Sequence, residues 1–141
     1  MRVRATWTAP MRFDAETEQG LRVVMDAAAG EAPAGPSPMQ TVLAALAGCT
    51  GMDVASILAK MRAPLERMTI DVEAAQAAEH PKVFTRIHLR YEFAGAGVTR
   101  EQVERAVSLS LERYCPVTAM LRRSAEITHE VVLTGEREAV R

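Results

Sequence analysis

Polar and apolar positions alternate at the start of this chain, merge into one long apolar run, and then alternate again. Over residues 2–8, Val3, Ala5 and Trp7 interleave with Arg2, Arg4 and Thr6, the period-two pattern of a half-buried strand. Residues 12–18 and 21–26 read as two more strands turned around Gly20, the first of them polar. The Gly- and Pro-rich stretch 27–37, AAAGEAPAGPS, reads as a loop. From Pro38 to about Met61 the pattern is helical. Ser37 is the expected N-cap, and Pro38 fits the first helical position, where a missing N–H costs nothing. Apolar residues cover nearly all sides of this helix, so neighbours must surround it. Ala44, Ala45, Ala47 and Gly48 allow a second helix to approach closely.

A hairpin is expected next. Met68, Ile70, Val72 and Ala74 alternate with Thr69, Asp71 and Glu73. After a turn near His80 and Pro81, Val83, Thr85, Ile87, Leu89, Tyr91 and Phe93 alternate with Arg86, His88, Arg90 and Glu92. One wet face per strand is the antiparallel signature. Thr99 and Gln102 form a capping box, and a helix follows with Val103, Ala106, Val107, Ser110, Leu111 and Tyr114 on its core-facing stripe. Pro116 breaks or kinks it. A short helix through Leu121 and a last strand near 126–134 complete an α+β arrangement of antiparallel sheets around a long central apolar helix.

The length of 141 residues fits one domain, 1–141. A net charge of −1 and the absence of a basic run mixed with aromatics argue against a nucleic-acid surface. MRVRATWTAP reads as a strand rather than a signal peptide, so a cytoplasmic protein is expected. Gln40, Thr41, Thr50, Asp53 and Ser56 interrupt the apolar run, which points to a buried helix rather than a membrane span. In a reducing compartment two cysteines make a poor permanent staple. They are inert core thiols or a redox pair.

On a helical wheel Cys49, Asp53, Ser56 and Lys60 fall in one narrow stripe. A polar stripe on a buried helix should face a cleft or a partner. The plainer alternative is that the stripe is the wettest side and Cys49 a small packing residue. Mid-helix, Cys49 gains little from the helix dipole, and an unpaired Asp53 one turn away disfavours its thiolate. A nearby cation is therefore required. Lys60 is too far along the helix, which leaves an arginine from another segment or subunit. Cys115 sits at an expected N-cap before Pro116, where N–H groups favour a thiolate, with Arg113, Arg122 and Arg123 close in sequence. Local physics thus makes Cys115 the more acidic thiol, while the plainer alternative is that it only caps a turn. His80, His88 and His129 have no Cys or carboxylate at zinc-site spacing, so no metal is expected. No phosphate-loop motif or Ser/His/Asp set suggests another chemistry or a cofactor.

At the two cysteines the sequence resembles the OsmC/Ohr family of thiol-dependent peroxidases. SPMQTVLAALAGC, from Pro38 to Cys49, and CPVTAML, from Cys115, carry the resemblance, and both occur at the family's separation. SPMQ, LAGCTGMDVASIL, FTRIHL, RYCPV and ITHEV bring it closest to the YhfA-like branch, which is less clearly tied to peroxide reduction. The resemblance implies an intertwined homodimer with its sites at the interface. It implies that Cys49 attacks an organic hydroperoxide and that the sulfenic acid condenses with Cys115. An external dithiol, lipoyl-linked by the same resemblance, then restores both thiols. Peroxidase members place a glutamate directly after the proline; this chain has Met39 and then Gln40. They also hold the thiolate with an arginine from an early strand, and Arg12 and Arg22 lie in the right region. With the glutamate missing, such a site is incomplete or rebuilt around Asp53. The other functional class is a non-enzymatic module that holds an apolar ligand at the dimer cleft, with the cysteines as redox sensors or lining. A purely structural dimer is a third.

Overall fold

The computed structural model of the chain describes residues 1–28 and 32–135. The expected loop at 27–37 therefore includes three residues, 29–31, outside the described ones. The chain forms two compact units, Met1–Ala44 and Ala45–Arg141.

In the first unit, β1 (Val3–Thr8), β2 (Arg12–Thr17) and β3 (Arg22–Asp26) form an antiparallel meander in sequence order. Gly20 turns the chain between the last two at φ +79°, a region that glycine enters without steric cost. Ala5 lies opposite Ala15, Trp7 opposite Phe13, and Phe13 opposite Met25. The apolar alternation thus assembles one continuous face. β1 is not half-buried as expected. All six residues of β1 are exposed, Trp7 at 59%, because a three-stranded layer cannot cover its own surface. Three hydrogen bonds tie the end of β3 to the segment that follows. The Asp26 carboxylate accepts the N–H groups of Ala28 and Ala34, each at 3.0 Å. The Asp26 N–H donates to the Pro36 carbonyl at 3.1 Å.

Helix α1 (Pro38–Lys60) begins in this unit and ends in the second. Its start is a capping box. The Gln40 N–H donates to Ser37 Oγ at 3.2 Å, and the Ser37 N–H donates to Gln40 Oε1 at 2.9 Å. By length and composition alone α1 is apolar enough to cross a membrane. Its buried residues are Leu46, Thr50, Gly51, Val54 and Leu58, a single stripe. Neighbours therefore do not surround it within one chain, and Ala44, Ala45, Met52, Ala55 and Ala59 remain exposed.

The second unit adds β4 (Arg67–Gln76), β5 (Phe84–Ala94), α2 (Arg100–Leu109), a π turn (Ser110–Tyr114), α3 (Pro116–Leu121) and β6 (Glu126–Thr134). β4 and β5 pair antiparallel as expected. β6 lies parallel to β5, so this sheet is mixed rather than antiparallel. The helical segment between the two strands supplies the crossover that a parallel pair needs. Ile87, Leu89, Tyr91 and Phe93 fill the core at every second position. The same alternation predicts Val83 and Thr85 inside, yet both are exposed and Phe84 is buried. An irregularity in the β4–β5 register at Ala75 and Gln76 shifts the phase there.

The capping box of α2 forms between Thr99 and Gln102. Val103, Ala106, Val107, Ser110 and Leu111 are buried as predicted, whereas Tyr114 is 53% exposed. The cause is the π turn, closed by the Cys115 N–H on the Ser110 carbonyl at 2.8 Å. An extra residue in that turn rotates Tyr114 outward and brings Cys115, 3% exposed, into the core.

Candidate functional site

Cys49 and Asp53 stand one turn apart on α1, and across from them the end of the π turn presents Cys115. Both cysteines are free, and Cys115 lies near enough to Cys49 to raise its pKa. The backbone of α3 engages both sulfurs. The Val117 N–H favours the Cys49 thiolate, and the Thr118 N–H donates to Cys115 Sγ at 3.3 Å. Cys115 is thus the N-cap expected from the Cys-Pro sequence. The pairing of two thiols that are distant in sequence is the central fact of the site.

The electrostatics around Cys49 oppose ionisation. Partial burial raises its pKa above the ordinary cysteine value, and the hydrogen bond and charge of Cys115 raise it further. Asp53 also raises it, and the Val117 N–H lowers it. The two early-strand arginines are already paired within their own sheet. Arg12 Nη2 lies 3.0 Å from Asp14 Oδ1, and Arg22 Nε lies 3.1 Å from Glu16 Oε2. Gln40 is committed to the α1 capping box. Of the polar stripe, Ser56 and Lys60 are exposed, while Cys49 and Asp53 are partly buried. The stripe therefore divides into a site end and a solvent end.

Asp53 is held by a buried chain of hydroxyls that the sequence does not reveal as a unit. Tyr91 Oη lies 2.7 Å from Thr50 Oγ1, and Thr50 Oγ1 lies 2.8 Å from Ser110 Oγ. Ser110 Oγ donates to Asp53 Oδ2 at 2.9 Å. Thr50 and Ser110 are fully buried. Burial pushes the Tyr91 pKa up to about 12, with the Thr50 hydrogen bond acting against the rise. The only sequence sign of this chain is that Ser110 and Thr50 are polar residues at core-facing helical positions. The hydroxyl of Thr118, also fully buried, has no partner among the described residues.

The histidines take no part. His80 is exposed in the β4–β5 connection. His88 Nδ1 lies 2.7 Å from Thr128 Oγ1 on the outer side of the sheet, and His129 meets the Tyr91 ring edge-on.

Comparison with known proteins gives this geometry a family context. The profile described as "OsmC-like protein" matches residues 29–130. Protein YhfA of Escherichia coli K12 is 36% identical over 129 residues, which are 92% of this chain and 95% of YhfA. An OsmC-like protein from Mycoplasma pneumoniae superposes with a TM-score of 0.82 at 16% identity, covering 94% of this chain and 95% of that one. An organic hydroperoxide resistance protein OsmC from Legionella pneumophila gives a TM-score of 0.70 at 20% identity, covering 94% and 97%. At those identities the two structures establish the shared fold, while the profile and YhfA establish kinship. On these grounds the chain belongs to the OsmC-like protein family.

Proposed function

We propose that the protein is a thiol-dependent peroxidase that reduces organic hydroperoxides. The observation that carries this reading is the proximity of Cys49 and Cys115, close enough for one to act on the other's ionisation, in a fold shared with organic hydroperoxide resistance proteins. Cys49, less deeply buried than Cys115, attacks the distal peroxide oxygen as its thiolate. The O–O bond breaks and the alkoxide leaves, taking a proton to become the alcohol. Cys49 is left as a sulfenic acid. The Cys115 thiolate then attacks that sulfur, the S–O bond breaks, and the leaving hydroxide takes a proton to depart as water, with the formation of a disulfide. An external dithiol returns both thiols to the reduced state.

The proposed working form is a homodimer. It is supported by two uncovered apolar surfaces, the exposed side of α1 and the Trp7–Phe13 face of the first sheet. A second chain also answers the electrostatic problem at Cys49, which needs a cation to favour its thiolate.

The test is intact mass with thiol alkylation, before and after one equivalent of cumene hydroperoxide without reductant. Loss of two hydrogens within seconds, mapped to a Cys49–Cys115 link, is the expected result. Cys49→Ser should abolish peroxide consumption. Cys115→Ser should consume one equivalent and stop at a sulfenic acid. Equal turnover in Cys49→Ser and the parent protein would refute the assignment.

A second reading is favoured by two observations: the raised pKa of Cys49, and Met39 where peroxidases carry glutamate. In it the dimer cleft holds an apolar ligand and the cysteines line it or sense oxidants. Two free thiols after prolonged peroxide exposure, together with a copurified lipid-like ligand, would establish that reading instead.

A further inference from the structure

A cavity of about 310 Å³ opens on the Cys115 side of the thiol pair. Leu111, Ala119 and Cys115 supply its less polar wall, and Arg113, Arg122, Arg123 and Glu112 supply the charges. Among the described residues none of the three guanidinium groups has a carboxylate ion-pair partner, and Arg113 rests over the Tyr114 ring at 5.9 Å. Three cations against one carboxylate, around a recess that the buried Cys115 helps to line, make an electropositive approach to that residue. An apolar ligand gains nothing from that rim. An anion does, because a cleft lined by one sign of charge concentrates the opposite sign.

We propose that this cavity is the docking site of the reductant, that the reductant is a negatively charged dithiol, and that it attacks the disulfide at Cys115 rather than at Cys49. The inference rests on the peroxidase reading above. A reductant thiolate approaches through the cavity and bonds to Cys115 Sγ. The Cys49–Cys115 bond breaks, and Cys49 leaves as a thiolate that the Val117 N–H stabilises until it takes a proton. The second thiol of the reductant, as its thiolate, then attacks the reductant sulfur bound to Cys115. Cys115 leaves, the reductant departs as an internal disulfide, and both protein thiols are restored. Access is one of the factors that select which sulfur is attacked in such exchanges; Cys49 is the less buried thiol, but Cys115 is the one that lines this charged cavity. The Thr118 N–H, already on Cys115 Sγ, stabilises the charge that this sulfur carries as it leaves. The arginines bind the reductant's anionic group and touch no reacting atom, so they act on docking alone.

The first experiment needs neither peroxide nor a disulfide. In Cys49→Ser protein, Cys115 is the remaining thiol. Its rates with methanethiosulfonates bearing a sulfonate, an ammonium or a plain methyl group are measured, each normalised to N-acetylcysteine. The anionic reagent should lead the cationic one by about tenfold at low salt, with the gap narrowing as salt is added. Arg122→Glu/Arg123→Glu should erase or invert the order. Equal normalised rates, no effect of the double reversal, or a Cys115 that reacts with none of the three until the protein is denatured would each overturn the cavity assignment. The second experiment forms the disulfide with a mild oxidant and reduces it with dihydrolipoate or its neutral amide. Several-fold faster reduction by the carboxylate form, lost in the arginine double variant, is expected, and equal rates would refute the charge preference. The cumene hydroperoxide assay judges the peroxidase reading separately. A protein that passes it while showing no charge selectivity retains the peroxidase reading and loses this one.

Discussion

At the scale of single residues, the thiol pair carries an internal conflict. Cys49 is the proposed nucleophile, yet burial, its Cys115 neighbour and the Asp53 carboxylate all hold its proton on. The sign of the pH dependence follows. The thiolate fraction at neutral pH is small and grows as pH rises through the ordinary cysteine range and beyond it. Burial, the largest cause, and Asp53 both persist in Cys115→Ser protein, so iodoacetamide alkylation of Cys49 there should still be accelerating above pH 9. Asp53→Asn removes a negative charge and should move that profile to lower pH, with faster alkylation at pH 7. An unchanged profile would remove Asp53 from the site's electrostatics. The hydroxyl chain gives a stability prediction. Thr50→Val leaves the buried Tyr91 hydroxyl without its partner and takes one from Ser110. The expected loss is about 1–3 kcal/mol, read as a lower urea midpoint at unchanged slope. Thr50 and Ser110 were legible as polar residues in apolar stripes. Their joining to Tyr91 and Asp53 was not, because all three links cross between elements far apart in sequence.

At the scale of elements, most of the helices and strands were legible because their signals are local. Ser37 with Pro38 starts α1, Thr99 with Gln102 starts α2, and Cys115 with Pro116 starts α3, each through bonds made within a few residues. What escaped were the two changes of phase. The register shift at Ala75 and Gln76 puts Phe84 inside instead of Val83 and Thr85. The π turn puts Tyr114 outside and Cys115 inside. Both leave composition untouched and change only which side a residue faces, so a fixed period carries the error forward. The direction of β6 was lost for a related reason: alternation shows a strand's faces but not its polarity. The α1–β4 contact is close at Gly51, where an added Cβ would lie 3.1 Å from Ile70 Cδ1. Ala is tolerable there because a flexible methyl end is what must yield. Gly51→Leu should cost about 1–3 kcal/mol by overpacking, measured by thermal or urea unfolding, and an unshifted midpoint would contradict the packing described.

At the scale of the whole molecule, the uncovered surfaces determine what must be tested. Met52 is 76% exposed on α1 and Trp7 59% exposed on β1, far from the usual place of such side chains. In the proposed dimer a second chain covers them. Sedimentation should give twice the 15.4 kDa chain mass, and Met52→Glu, which places a charge in that contact, should shift the population toward the single chain. A single-chain mass for the parent protein would end the dimer proposal. By itself the sequence determined the order of elements, their caps, the pairing of β4 with β5 and the two cysteine motifs, because each is set by short-range periodicity and local hydrogen bonding. Only the tertiary structure decided that the two thiols lie near one another, that Ser110 holds Asp53, and that β6 runs parallel to β5. Those relations depend on how separate elements pack in space, and no local pattern along a chain encodes the distance between residues that folding alone brings together.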